Sequence, residues 1–143
     1  MQFTTTLLGL LAAASSMAAP VAGTSATATV PQWTIKSFTR TCNAKDTSCT
    51  VTFGVDTHLT AVTNCKYTVT GSPASRTSTN GITCGVYTIS SGWSGQFGEG
   101  NGFTTWAFVD NTNKLITWPA YSDKELVNGK AVVPDKSYSP ANL

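Results

Sequence analysis

Cys49-Thr50-Val51-Thr52-Phe53-Gly54-Val55-Asp56 places an apolar side chain at every second position and a small or polar residue between. A period of two sends alternate side chains to opposite faces of an extended chain, so this stretch reads as a half-buried strand. The pattern continues on both sides. Upstream, Trp33 and Ile35 alternate with Thr34 and Lys36, opening a strand that runs on to Thr41. Downstream, Cys65-Lys66-Tyr67-Thr68-Val69 and Val86-Tyr87-Thr88-Ile89 repeat it. Phe103 to Val109 is denser in apolar residues, which predicts a strand that is central or covered on both faces. Asp110-Asn111-Thr112-Asn113 reads as a turn, Lys114 to Trp118 returns as a strand, and Pro119 ends its pairing. Asn128-Gly129 predicts a hairpin between Leu126-Val127 and Lys130-Ala131-Val132-Val133. Asp123 to Val127 suits a single helical turn. Roughly seven to nine short strands between turn signals predict an all-β, single-domain antiparallel barrel or sandwich.

The N-terminus carries a different signal. Leu7, Leu8, Leu10 and Leu11 lie in an apolar stretch too short to span a bilayer, followed by the small residues around Ser16-Met17-Ala18. This predicts an export signal over residues 1–18, cleaved before Ala19. Residues 19–31 are uncharged and rich in Ala, Thr and Ser. They read as a flexible lead-in with O-glycosylation candidates at Thr24, Ser25, Thr27 and Thr29. Residues 32–143 then form one domain of ordinary size. The net charge is +2 and charged residues make up 11% of the chain, with Lys and Arg scattered. Scattered cations argue against a nucleic-acid footprint and against a polybasic membrane anchor. No second apolar stretch is long enough for a transmembrane segment.

An exported chain meets an oxidising compartment, where an even number of cysteines favours disulfides over metal ligation. The four cysteines allow three connectivities. Cys42 and Cys49 flank a loop whose closure brings them together, and Cys65 and Cys84 bracket a strand and a Gly/Ser/Pro-rich stretch. The expected pairs are Cys42–Cys49 and Cys65–Cys84. A zinc site is disfavoured, because the spacing contains no CxxC pair and one distant histidine.

Candidate chemistry is thin. His58 is the only histidine, and its neighbours in sequence name no nucleophile. Asp110, Asp123, Glu125 and Asp135 could pair for glycoside hydrolysis, although turn positions account for three of them. Gly95-Gln96-Phe97-Gly98-Glu99-Gly100-Asn101-Gly102 is the most unusual loop, with four glycines in eight residues. A phosphate-cradling loop needs a helix behind it, and an apolar strand follows here. The loop reads as a strand-to-strand turn or as an exposed recognition loop. Of the four tryptophans, Trp33 and Trp106 have apolar neighbours at alternating positions and suit the core. Trp93, among Ser and Gly, and Trp118, before Pro119, suit the surface. The candidate recognition surface is therefore Trp93, Gln96, Phe97, Glu99 and Trp118, with no catalytic, cofactor or metal residue assigned.

Trp33-Thr34-Ile35-Lys36-Ser37-Phe38, the alternating strand into Cys65, and Thr83-Cys84-Gly85 together resemble the Alternaria major-allergen (Alt a 1-like) family. The closer similarity is to the fungal protein elicitors of that group, through Ser91-Gly92-Trp93-Ser94-Gly95-Gln96-Phe97-Gly98, Pro119-Ala120-Tyr121-Ser122-Asp123-Lys124 and Pro134-Asp135-Lys136-Ser137-Tyr138. The resemblance covers roughly residues 32–140. It implies a compact antiparallel β-barrel, and Cys65 and Cys84 fall where the allergens have an intrachain disulfide. It also implies a secreted, non-enzymatic effector in the host apoplast. Such a protein triggers a plant hypersensitive response on meeting a cell-surface or apoplastic defence protein. The chain lacks the allergens' C-terminal cysteine pair and the cysteine that crosslinks their dimer, so a covalent dimer is not expected. The alternative is a secreted module that binds carbohydrate or a small ligand through Trp93, Phe97 and Trp118 or through the barrel interior.

Overall fold

The computed structural model describes residues 30–143. The expected signal peptide, and the lead-in as far as residue 29, lie outside the described residues. Ten strands run in order: β1 Trp33–Cys42, β2 Ser48–Asp56, β3 Thr63–Thr70, β4 Thr79–Cys84, β5 Tyr87–Ser94, β6 Phe103–Asp110, β7 Leu115–Thr117, β8 Ala120–Ser122, β9 Lys136–Tyr138 and β10 Ala141–Asn142. They form two antiparallel sheets. One has the order β3-β2-β1-β9; the other is β10-β7-β6-β5-β4, with β8 also pairing β6. The two sheets make a sandwich, and the closed barrel implied by the resemblance is not formed. Among the described residues no helix is long and apolar enough to cross a membrane.

The alternation read from the sequence determines which face each strand buries. On β2 the inward set is Cys49, Val51, Phe53 and Val55, and on β6 it is Thr104, Trp106, Phe108 and Asp110. β6 is central as expected, flanked by β5 on one side and by β7 and β8 on the other, but only one of its faces is deeply buried. β1 contains a step that periodicity does not show. Its register with β2 shifts between Lys36 and Thr39, and Ser37 has a φ of 49°. This bulge changes the inward set from Trp33 and Ile35 to Phe38 and Arg40. Asp135 Oδ1 accepts the freed Ser37 N–H at 2.8 Å.

Aromatic rings lock the sheets together. Phe38 stacks on Phe53 at 5.4 Å and on Tyr121 at 4.2 Å, and it meets Trp106 edge-on at 4.7 Å. Phe53 continues the stack to Phe108 at 4.8 Å. Each fully buried ring contributes several kcal/mol by leaving water, on the order of 3–5 kcal/mol when truncated. The interior offered by the alternative reading as a ligand cavity is filled by these side chains.

Both disulfides form as the sequence predicts. Cys42 and Cys49 are direct cross-strand partners at the β1–β2 hairpin. Cys65 and Cys84 join β3 to β4, the edges of opposite sheets. The Asn128-Gly129 hairpin does not form. Asn128 takes the predicted left-handed conformation, with φ 58°, but inside a single 3-10 turn over Val127–Gly129. Leu126 and Val132 enter the main core instead of facing one another across a ladder. Val132 N donates to Phe38 O at 2.9 Å, and Pro134 has no N–H to offer a strand partner.

The longer loop closed by Cys65–Cys84, with a separation of 19 residues against 7, makes it the larger stabiliser. Replacing Cys65 and Cys84 by Ser is expected to cost about 3 kcal/mol, and replacing Cys42 and Cys49 about 2–3 kcal/mol. Urea unfolding of both double variants measures the difference.

Candidate functional site

The glycine loop joins β5 to β6 and is built on itself. Gly98 N donates to Gly95 O at 3.0 Å, Asn101 N donates to Gly98 O at 3.1 Å, and Asn101 Nδ2 donates to Phe97 O at 3.2 Å. Gly98 and Gly100 have φ of 94° and 77°, so the turns need residues without a Cβ. Gly95 and Gly102 serve a different purpose. A Cβ on Gly95 would collide with the Trp93 ring, and one on Gly102 would lie 2.5 Å from Asp123 Oδ2 and 2.7 Å from Trp93. The backbone is therefore seated directly on the indole. The Arg76 guanidinium lies over the same ring, 4.5 Å from its centre.

Asp123 holds this assembly to the body of the protein. Its Oδ2 accepts Trp93 Nε1–H at 2.8 Å and its Oδ1 accepts Arg40 Nη2–H at 3.2 Å. Arg40 is 8% exposed, and its Nη1 donates to Ser75 O at 3.1 Å. Asp123 N also donates to Gly102 O at 2.9 Å. Trp93 is thus a half-buried support under the loop. Gln96, Phe97 and Glu99 are what the loop presents. Phe97 is 65% exposed and stacks on Phe103 at 5.7 Å. Glu99 pairs with Arg76 at 3.6 Å. Trp118 sits apart, 53% exposed on the β7–β8 connection between buried Thr117 and Pro119. The structure thus gathers four of the five predicted surface residues in and under one loop.

Sequence reasoning missed Arg40, Arg76 and the paired role of Asp123. These residues meet across wide sequence separations, and no local pattern marks them. Beside the loop, a cleft of about 270 Å³ lies between Trp93, Glu99, Lys124 and Val127. It adjoins a larger cleft of about 700 Å³ bordered by Arg40, Asp46 and Asn128, with Arg76, Asp123 and Val127 common to both.

The other candidate residues are each held in local contacts. All seven carboxylates of the chain have partners. Asp46 accepts from Ser75 N at 2.9 Å and from its hydroxyl, Asp56 from His58 N at 2.9 Å, and Asp110 from Thr112 N at 2.9 Å and Asn113 N at 3.0 Å. Asp135 pairs with Lys36 at 3.3 Å and Glu125 with Lys136 at 2.8 Å. With Asp123 and Glu99 described above, this completes the set. The four acids weighed for glycoside hydrolysis are each engaged in a separate contact. His58 Nε2 lies 2.8 Å from Thr34 Oγ1, which lies 2.9 Å from Ser137 Oγ. Asp56 Oδ2 is 3.7 Å from His58 Nδ1, beyond hydrogen-bond reach, so the orienting contact of a triad is missing. Cys42, Asp46 and Cys49 cluster at metal-ligand spacing, but the two sulfurs are bonded to each other and supply no thiolate.

Besides Arg40–Asp123, the Lys136–Glu125 ion pair links the first sheet to the segment after β8. Burial pushes the Glu125 carboxyl up, but hydrogen bonds from Lys136 and Ser122 outweigh it and hold the group below its ordinary value. Lys136 belongs to β9 of the first sheet, and Ser122 to β8 of the second.

A family model described as Effector TSP1 matches residues 34–143. A relative from Hypocrea virens (strain Gv29-8 / FGSC 10586), named Effector TSP1, is 55% identical over 146 residues, spanning 100% of this chain and 99% of its own. These matches carry the effector side of the resemblance drawn from the sequence, and neither names the allergens.

Two outcomes follow from this geometry. Gly102→Ala is expected to lower stability by about 1–3 kcal/mol through overpacking against Trp93 and Asp123. Gly92→Ala, whose Cβ would meet nothing closer than 4.0 Å, serves as the control. Chemical unfolding followed by tryptophan emission distinguishes them. Because the folded Glu125 carboxyl titrates below its unfolded value, its stabilisation is present above about pH 4.5 and disappears as pH falls through the folded value. Glu125→Gln should flatten that part of an acid-unfolding profile.

Proposed function

We propose that this chain, which belongs to the Effector TSP1 family, works outside the cell as a surface that a host protein reads, without catalytic turnover. In this reading it is secreted into the host apoplast. There it meets a plant cell-surface or apoplastic defence protein, and recognition triggers a hypersensitive response and defence signalling. The observation that carries the proposal is the propped loop. Phe97 stands 65% exposed on a backbone held from beneath by Trp93, Asp123 and Arg76. An aromatic anchor on a pre-ordered loop loses little conformational entropy on binding, and such residues dominate interface energetics. Two disulfides suit an oxidising compartment. All four cysteines are paired within the chain, which leaves none to crosslink a dimer. The allergen-like part of the resemblance belongs to this proposal too, supported by the Cys65–Cys84 bridge.

A second reading has Trp118 behind it, an indole 53% exposed on the β7–β8 connection, where a sugar ring could stack. A glucan or chitin oligomer that shifts the emission of the native protein, but not of Trp118→Ala, would favour it.

Infiltration of the purified protein into leaves at micromolar dose tests the first reading. Cell death, an oxidative burst or defence-gene induction is expected, and Phe97→Ala should raise the required dose at least about tenfold, as loss of an interface hot spot does. No response at any dose, or an unchanged dose for Phe97→Ala together with Glu99→Ala, would remove the loop from the account.

A further inference from the structure

At the end of β6 opposite the glycine loop, the sandwich opens. The start of β1, the β2–β3 loop, the β4–β5 turn and the β6–β7 turn surround a cleft of about 450 Å³. That volume lies within the range of small-molecule sites. Its floor is Trp33, 1% exposed, with Tyr87 edge-on to it at 5.6 Å and Leu115 alongside. Its rim carries apolar side chains facing water, Leu59 at 69% and Val86 at 44% exposure.

The polar groups in this cleft narrow what could enter. Tyr87 is 3% exposed and lines the cleft. Burial and the nearby Asp110 carboxylate both push its ionisation upward, so it is a neutral phenol able to donate or accept one bond. Asp110 is the only charged lining residue among the described residues. Its Oδ1 accepts the Thr112 and Asn113 backbone N–H groups and its Oδ2 accepts Asn113 Nδ2–H at 2.9 Å. Among the described residues no lysine or arginine lines the cleft. An anion would meet uncompensated negative charge, and a cation would find a carboxylate already occupied.

We infer that this cleft is a binding site for one uncharged, largely apolar small molecule, anchored by a single hydrogen bond to the Tyr87 hydroxyl and packed against Trp33, Leu115, Leu59 and Val86. The site is separate from the glycine loop, and its existence does not depend on the recognition role proposed for that loop.

The neutral fluorophore N-phenyl-1-naphthylamine, which carries one N–H donor, is a direct probe, with 8-anilinonaphthalene-1-sulfonate as its anionic counterpart. The native protein should bind the neutral probe saturably at one site per chain, with enhanced and blue-shifted emission, and the anionic probe at least about tenfold more weakly. Tyr87→Phe keeps the ring and removes one hydrogen bond, which should weaken the neutral probe about three- to tenfold. Leu59→Asp changes an exposed rim residue without disturbing the core and should weaken it more than tenfold. Circular dichroism of each variant confirms that the fold is retained. Absence of saturable binding overturns the inference, as does equal affinity for the two probes or unchanged affinity in Leu59→Asp. Binding that disappears when a dimer is diluted to monomer would place the probe between two copies and overturn it as well.

Discussion

The Asp123 carboxylate is the point on which the exposed loop and its attachment to the first sheet depend. Arg40 is buried, and a buried guanidinium without an anion costs several kcal/mol. Arg40 faces inward because the Ser37 bulge adds one residue to β1 and reverses its alternation. Were Ser37 paired regularly instead of bulged out, the alternation begun by Trp33 and Ile35 would turn Arg40 to solvent and Phe38 out of the aromatic stack. Once Arg40 is inside, one oxygen of Asp123 is committed to it. The other oxygen is left to orient Trp93, and the orientation of Trp93 determines how closely Gly95 and Gly102 can approach. A backbone irregularity in the first strand thus determines the seat of a loop more than fifty residues later in the chain.

The parts of this fold that were legible in the sequence were those written locally. Val51, Phe53 and Val55 on β2, and the dense run of β6, show their burial through period two alone. The turn residues from Asp110 to Asn113 announce their own conformation. The cysteine pairs were legible because each pair brackets one excursion of the chain. β4, β9 and β10 were hidden because backbone pairing holds them with few apolar side chains; β4 contributes a half-buried Ile82 and little else. The Ser37 bulge gave no sign, since serine is not a residue that marks a left-handed backbone. Asn128-Gly129 specified its own turn conformation correctly but not its partners, because tertiary burial of Leu126 and Val132 outweighed a local ladder.

The candidate site was legible in a similarly divided way. Its unusual composition stood out, and the loop does carry the exposed Phe97. The glycines, however, suggest freedom of backbone angle, and only Gly98 and Gly100 use it. Gly95 and Gly102 are small because an indole fills the space a side chain would need. That reason is tertiary. It depends on Trp93 being fixed by Asp123, a residue 30 positions away. Sequence can count glycines but cannot distinguish the two reasons for having them.

This division separates what supports the loop from what the loop displays. Trp93, Gly95, Gly102, Asp123, Arg40 and Arg76 form the support. Gln96, Phe97 and Glu99 face outward, and apart from the Phe103 stack and the Arg76 pair they bear on little of the fold. A substitution at Gln96 changes the surface without altering the seat, whereas a methyl group at Gly102 alters the seat without touching the surface. Binding loops on rigid scaffolds work in this way, with the contact residues free to vary while their geometry is held by residues behind them. Positions 96, 97 and 99 therefore have room to change, while the clamp beneath keeps whatever stands there in a fixed pose.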